Sequence, residues 1–279
     1  MYATASAGMR WLVVEMAGAW GHSAFLQSPR IIDPSVGRAV VRRAEANGMR
    51  IVAVRRPGRR IEPVRWRWAI ADSRPGAEAL FRGEVSGPEE LLDIALDGSD
   101  GEQAYEPLIA VCAHGKHDRC CAVRGRGVTA AISAEYPDWT WECSHLGGDR
   151  FAATALILPH GLCYGRVDSG DPVSVVRSYL EGEVQESLLR GRTSYPHVVQ
   201  AAQHFAREAT GDMRIDALAP VEVELRDGAA TVTLTGDRGP IVVELAERLS
   251  EPLLSTCSAL TAGRVREFVL TSLVVEPES

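Results

Sequence analysis

Two stretches of this chain repeat one alternation of short apolar runs with helix-length segments, and that order restricts the fold to a layered α/β class. In the first stretch, Trp11 to Met16 reads as a buried strand. Asp33-Pro34 then supplies a cap and a first-turn proline for a helix carrying Val36, Val40, Val41 and Ala44, which Gly48 stops. Met49 to Val54 is the next strand. Val64, Trp66, Trp68 and Ile70 alternate with Arg65, Arg67 and Ala69, giving a third strand with one buried face. Ser86 and Glu89 form a capping-box pattern ahead of Leu91, Leu92, Ile94 and Ala95, so a second helix is expected there.

The order returns from residue 108. Leu108 to Val111 is a short strand, a helix runs from about Cys121 to Glu135, and Trp139 to Cys143 alternates as a strand. Ala155 to Leu158 and Leu162 to Val167 form a hairpin around Pro159-His160-Gly161, and Asp171-Pro172 opens a helix ending near Gly182. The reading is two related α/β layers. Ser194 to Gly211 is a further helix, expected to pack on the second unit. Beyond it the period becomes two, with an Asp227-Gly228 turn between strands. The expected organisation is therefore 1–104 and 105–212 as α/β units and 213–279 as a small β-rich region.

Composition sets the class of partner. Hydrophobic residues make up 46% and charged residues 24% of the 279, as in folded domains rather than disordered ones. The uncharged runs fall short of the roughly 20 apolar residues a spanning helix needs. No membrane partner and no secretory signal are expected, so the chain is placed in the cytoplasm with its six cysteines reduced. A net charge of -7 argues against nucleic-acid binding. Charge is uneven, however: ten arginines and two glutamates lie between Arg38 and Arg67, while Glu84 to Glu106 has no basic residue. The basic segment is either a docking surface for an acidic partner or a solvated helix face with an arginine-rich loop.

The chemistry-bearing residues cluster in the second unit. Cys112 closes a strand and opens CAHGKHDRCC, which ends with Cys120 and Cys121 where a helix begins. Thirty residues on, CSHLGGDRF holds Cys143, His145 and Asp149 around a Gly-Gly turn. No two cysteines have the Cys-x-x-Cys spacing of a thiol-disulfide oxidoreductase. A phosphate-cradling C-x5-R loop is absent, because Asp118 stands where the arginine belongs. A nucleophile pair of Cys112 with His114 or His117 remains open. Gly125-x-Gly127 reads as helix-tolerated glycine. Thiolates and imidazole in two short segments fit a metal, and the eight residues between Cys112 and Cys121 favour a two-iron cluster over structural zinc.

With SHLGGDRFAAT and LPHGLCYGRV, and more loosely WLVVEMAGAWG and RGRTSYPHVVQAAQ, the CAHGKHDRCC run resembles the sucrase/ferredoxin-like family, a group of thioredoxin-like [2Fe-2S] ferredoxins. The resemblance spans most of the chain. It implies a thioredoxin-like fold, which with the repeated element order gives two thioredoxin-like units, without thioredoxin activity, and an electron-transfer or redox-sensing role with an unidentified redox partner protein as donor or acceptor. Fungal relatives hold the cluster with two cysteines and the histidines of an H-x3-H segment. By position, Cys112 and Cys121 match the cysteines and His145 the first histidine, but Asp149 stands at the second. Asp149 then ligates, or Cys143 replaces it, or the cluster is lost. A non-enzymatic electron carrier is the preferred reading. A clusterless interaction module and a thiol enzyme using Cys112 or Cys121 are the rivals. Cys120, Cys163 and Cys257 are read as plain thiols, His22, His114, His117, His160, His197 and His204 as ordinary or supporting residues, and Arg150 and Arg166 as surface ion-pair formers in preference to groups that offset cluster charge or guide a partner.

Overall fold

The first half of the chain builds four strands around one helix: β1 (Arg10–Glu15), α1 (Pro34–Ala46), β2 (Met49–Arg55), β3 (Trp66–Asp72) and β4 (Ala79–Val85). Strands β1 and β2 are parallel across α1, β3 runs antiparallel to β1, and β4 antiparallel to β3. A short edge strand, β5 (Glu102–Ala104), pairs with β4. Asp33 caps α1, its side chain accepting from the Ser35 amide at 2.7 Å. Val40 and Ala44 bury one face of α1 with Leu12 and Val14 of β1 and with Phe25 and Ile32. This computed structural model describes residues 1–58, 66–254, 256, 259 and 261–276. Val64 and Arg65 of the expected third strand, Arg59 and Arg60 of the basic segment, and Cys257 lie outside the described residues.

The second half repeats the plan with β6 (Leu108–Cys112), α2 (Arg119–Glu135), β7 (Thr140–Cys143), β8 (Ala155–Leu158) and β9 (Leu162–Tyr164). Again β6 and β7 are parallel across the helix, β8 is antiparallel to β6, and β9 to β8. Both halves therefore carry the thioredoxin-like strand order, β4-β3-β1-β2 in one and β9-β8-β6-β7 in the other. After α3 (Ser174–Leu180), strand β10 (Leu189–Arg192) extends the second half at its outer edge.

The two related α/β units that the repeated element order suggested join edge to edge in one ten-stranded sheet. The joint is β2 against β7, antiparallel, with Val54 opposite Cys143 and Arg55 opposite Glu142. Because these residues end their strands, the carboxyl tips of both halves converge on the middle of the sheet. Loops after β1 and β6 consequently face each other. Several arginines of the basic segment are tied into this framework: Arg55 pairs with Glu142 at 2.7 Å, Arg56 donates to the Asp138 carbonyl at 2.8 Å, and Arg43 reaches the Leu91 and Ile94 carbonyls.

The remaining elements are α4 (His197–Thr210) and an antiparallel sheet of β11 (Pro220–Arg226), β12 (Ala229–Leu234), β13 (Ile241–Leu249) and β14 (Arg266–Val275). Helix α4 begins at His197 rather than Ser194, since Pro196 occupies the capping position. As expected, it meets the second α/β unit, where Gln200 donates to the Arg192 carbonyl at the end of β10 at 3.2 Å. Its apolar face, however, is covered by the C-terminal sheet: Val198, Ala201, Ala202 and Ala206 pack on Val232, Leu234, Ile241, Val243 and Leu245. Small alanines let the sheet approach closely, and burial of these strands' apolar face drives the contact. The helix expected at Ser86 is a single 3-10 turn, Pro88–Leu92, because the following acidic, glycine-rich segment bonds to itself, Asp100 accepting from the Ala95 amide. Among the described residues, no helix is long and apolar enough to cross a membrane.

Candidate metal centre

Cys112 is the last residue of β6 and lies in register beside Cys143, the last residue of β7. Helix α2 starts just above this end of the sheet, capped by Asp118, whose carboxylate accepts from the Cys120 amide at 2.7 Å. That cap places Cys121 in the first turn, facing the strand tip. Gly125, one turn further, sets the depth of the helix: a β-carbon there would overlap the carbonyl oxygen of Cys112. The close approach leaves Cys112 and Cys121 0% and 1% exposed, with their sulfurs side by side.

The third segment follows β7. Gly147 and Gly148 adopt φ of 87° and 82°, a region glycine enters without a steric penalty, and the chain then makes a 3-10 turn over Asp149–Phe151. His145 and Asp149 are thereby folded onto one another, with His145 Nδ1 3.1 Å from Asp149 Oδ1. The Cys121 thiol donates to the same Asp149 oxygen at 3.4 Å. Two overlapping donor groups result: Cys112, Cys121 and His145, and His117, His145 and Asp149, each with its ligand atoms within 4.8 Å of one another.

Imidazoles extend from this point across the joint of the sheet. The rings of His145 and His117 stack at 3.8 Å, and His117 lies 5.0 Å from His22, a residue of the loop after β1. His114 is anchored by its Nε2 at 2.7 Å from the Gly21 carbonyl and meets Trp20 edge-on. The first half of the sheet thus supplies a wall for a site whose donors come from the second.

Charge within the site is strongly coupled. The Cys121 hydrogen bond, assisted by His145, holds the Cys112 pKa well below that of an ordinary thiol, whereas that same hydrogen bond, together with burial and the nearby Asp149 carboxylate, pushes the Cys121 pKa up. Burial alone would lower the His145 pKa, but contacts with Asp149 and Cys112 raise it to about 9. Burial likewise opposes ionisation of Asp149, and His145 reverses this, leaving its pKa below the usual carboxylate range. Cys143, fully buried, has its pKa pushed well up by desolvation. The shifts share one direction: each favours the anionic form of Cys112 and Asp149 and the protonated form of His145.

A family profile described as sucrase/ferredoxin-like matches residues 1–191, both halves of the large sheet. The chain belongs to the sucrase/ferredoxin-like family. No curated protein and no solved structure gives a match. The match ends ahead of α4, so the C-terminal sheet of this sucrase/ferredoxin-like protein lies outside it.

Of the residues the sequence singled out, Cys112, Cys121 and His145 come together and Asp149 adjoins them. Cys143 neighbours Cys112 along the sheet but belongs to neither donor group. His117, read as an ordinary residue, belongs to the second group; its place directly before the Asp118 cap was the available signal. Reduced thiols hold for Cys112, Cys121, Cys143 and Cys163, but Cys120 is disulfide-bonded. Neither Arg150 nor Arg166 forms an ion pair among the described residues; Arg150 instead lies over the Phe151 ring at 4.5 Å. The donor set fits a soft metal group, and His145 Nδ1 is buried without a hydrogen-bond partner, its approach to Asp149 being misaligned for one.

Proposed function

We propose that this sucrase/ferredoxin-like protein is an electron carrier or redox sensor that holds one [2Fe-2S] cluster on Cys112, Cys121, His145 and Asp149. The observation that carries the reading is the convergence of two sulfurs and one imidazole within 4.8 Å, drawn from a strand end, a helix start and the loop after β7. Asp149 is assigned the fourth position because its carboxylate touches both Cys121 and His145. Such a cluster supplies reversible one-electron chemistry, its potential set by ligand type, net charge and exposure.

The chain's own residues do the rest. Cys112 and Cys121, buried at strand end and helix start, keep water from the sulfurs. His145, a quarter exposed, and His117 stacked on it form the short route from the buried donors to the surface where a redox partner protein docks. Burial of both thiols also disfavours the thiol-enzyme alternative, since a substrate has no access to either sulfur. Anaerobic reconstitution followed by iron and sulfide analysis and EPR of the dithionite-reduced protein tests the proposal. Two irons, two sulfides and a reducible signal are expected, and a colourless, iron-free product would defeat it.

A further inference from the structure

Arg190 is among the largest fully buried side chains of the molecule, 2% exposed, and it meets no carboxylate among the described residues. Its guanidinium donates from Nε to Thr4 Oγ1 at 3.1 Å, from Nη1 to the Gly147 carbonyl at 2.8 Å and to Cys163 Sγ at 3.5 Å, and from Nη2 to the Thr4 carbonyl. All these acceptors are neutral. An Arg cannot shed its proton to escape burial, so a positive charge is fixed in the interior without a protein anion to balance it.

Its position gives that charge a purpose. Gly147, which it binds, is two residues from both His145 and Asp149. A β-carbon on Gly148 would overlap the guanidinium, so Arg190 packs directly under the turn that spaces these two donors. Arg190 and Arg150 both approach the Phe151 ring, at 5.1 and 4.5 Å, which leaves two cations and no paired acid around the loop that carries Asp149. The thiol donors and the carboxylate on the other side of that loop are where negative charge gathers.

Resting on the cluster reading above, we infer that Arg190 is the fixed counter-charge of the centre: it holds the Gly147-Gly148 turn in place and raises the reduction potential. Each electron delivered by a one-electron donor protein adds one unit of negative charge and forms no bond. A buried cation close by stabilises the charged, reduced state more than the oxidised one. Solvent screens Arg150, which is partly exposed, so it contributes less.

Potentiometric titration followed by EPR, on reconstituted wild-type, Arg190→Gln, Arg190→Lys and Cys163→Asp proteins of measured iron content, tests this. Arg190→Gln is expected to move the reduction equilibrium about tenfold toward the oxidised state, a fall of about 59 mV for one electron. Arg190→Lys keeps the charge and recovers most of that shift. Cys163→Asp leaves Arg190 in place but sets a carboxylate against it, and it lowers the potential too, which covers the case in which Arg190→Gln does not fold. Iron-loaded Arg190→Gln or Cys163→Asp protein with the wild-type potential would overturn the inference alone. So would Arg190→Lys with a potential as low as that of Arg190→Gln. A wild-type protein that binds no iron would instead remove the cluster reading, and this inference with it.

Discussion

Gly125 of α2 rests against the carbonyl oxygen of Cys112, so closely that no β-carbon fits between them. That contact sets how near the helix lies to the strand tip, and hence how near Cys121 comes to Cys112. Gly125→Ala should cost about 1–3 kcal/mol, the range for overpacking, and should lower iron retention. Gly127, with open space around it, is the control: Gly127→Ala should be neutral or stabilise by up to about 1 kcal/mol. Urea denaturation of the two variants, with iron counted in each, checks the pair. Equal behaviour would sever the link between helix depth and donor spacing.

The ligand assignment separates residues that neighbour one another. Cys112→Ser, Cys121→Ser and His145→Ala should each lose reconstituted iron, and Asp149→Ala should hold it poorly. Cys143→Ser should keep it, since Cys143 stands outside both donor groups. Asp149→His should retain a centre with a higher potential, because a neutral imidazole replaces a negative ligand. Full iron in Asp149→Ala together with loss in Cys143→Ser would transfer the fourth position to Cys143.

Asp118 caps the helix that carries Cys121. Its replacement by alanine leaves the Cys120 amide without that acceptor, at a cost of about 1 kcal/mol by analogy with other cap deletions. The stronger effect should be on the rate at which a chelator removes iron, since fraying of the first turn moves a ligand directly. Thermal melts and chelator kinetics would measure the two, and an unchanged chelation rate would show that Cys121 does not depend on the cap.

Asp212 and Arg214 join α4 to the C-terminal sheet. Arg214 donates to Asp212 through Nε at 2.9 Å and to Asp237, in the turn after β12, at 2.7 Å. The Arg214 hydrogen bond holds the Asp212 pKa below the usual carboxylate range. For a depressed carboxylate, the stability it contributes is present above its unfolded pKa of 3.8 and is lost as pH falls through the lower folded value. Melting curves of wild type and Asp212→Asn should therefore differ at pH 5 and above and converge in strong acid. A constant difference across this range would refute the assignment.

Much of the scaffold was legible because strand and helix signals here are local. The Asp33-Pro34 cap, the alternation around Trp66 and Trp68, and the Asp227-Gly228 turn each declare themselves within a few residues. The meeting of Cys112, Cys121 and His145 was legible for a different reason: the strand end, the helix start and the loop after the next parallel strand lie at the same end of β6 and β7, whereas Asp149 entered as a ligand only through the family resemblance. What stayed hidden depends on contacts between segments far apart in sequence. The edge-to-edge joint of Val54 with Cys143 carries no local signal, nor does the stacking of His117 on His145. Arg190 stands in RGRTSYPHVVQAAQ with no local sign of burial, which emerges only from the approach of Thr4 across 186 positions. Gly125 looked like a tolerated defect in a helix, when its missing side chain is what the site requires.

The shared edge between β2 and β7 also implies a division of labour within a doubled architecture. Each half ends its first strand at the same central line, yet among the described residues the donor groups all belong to the later half. The earlier half, released from ligation, lends its corresponding loop as a lid, with the Gly21 carbonyl clasping His114 and His22 leaning on His117. Separating the two halves into independent fragments would therefore strip the reactive one of its cover and leave its sulfurs open to oxygen.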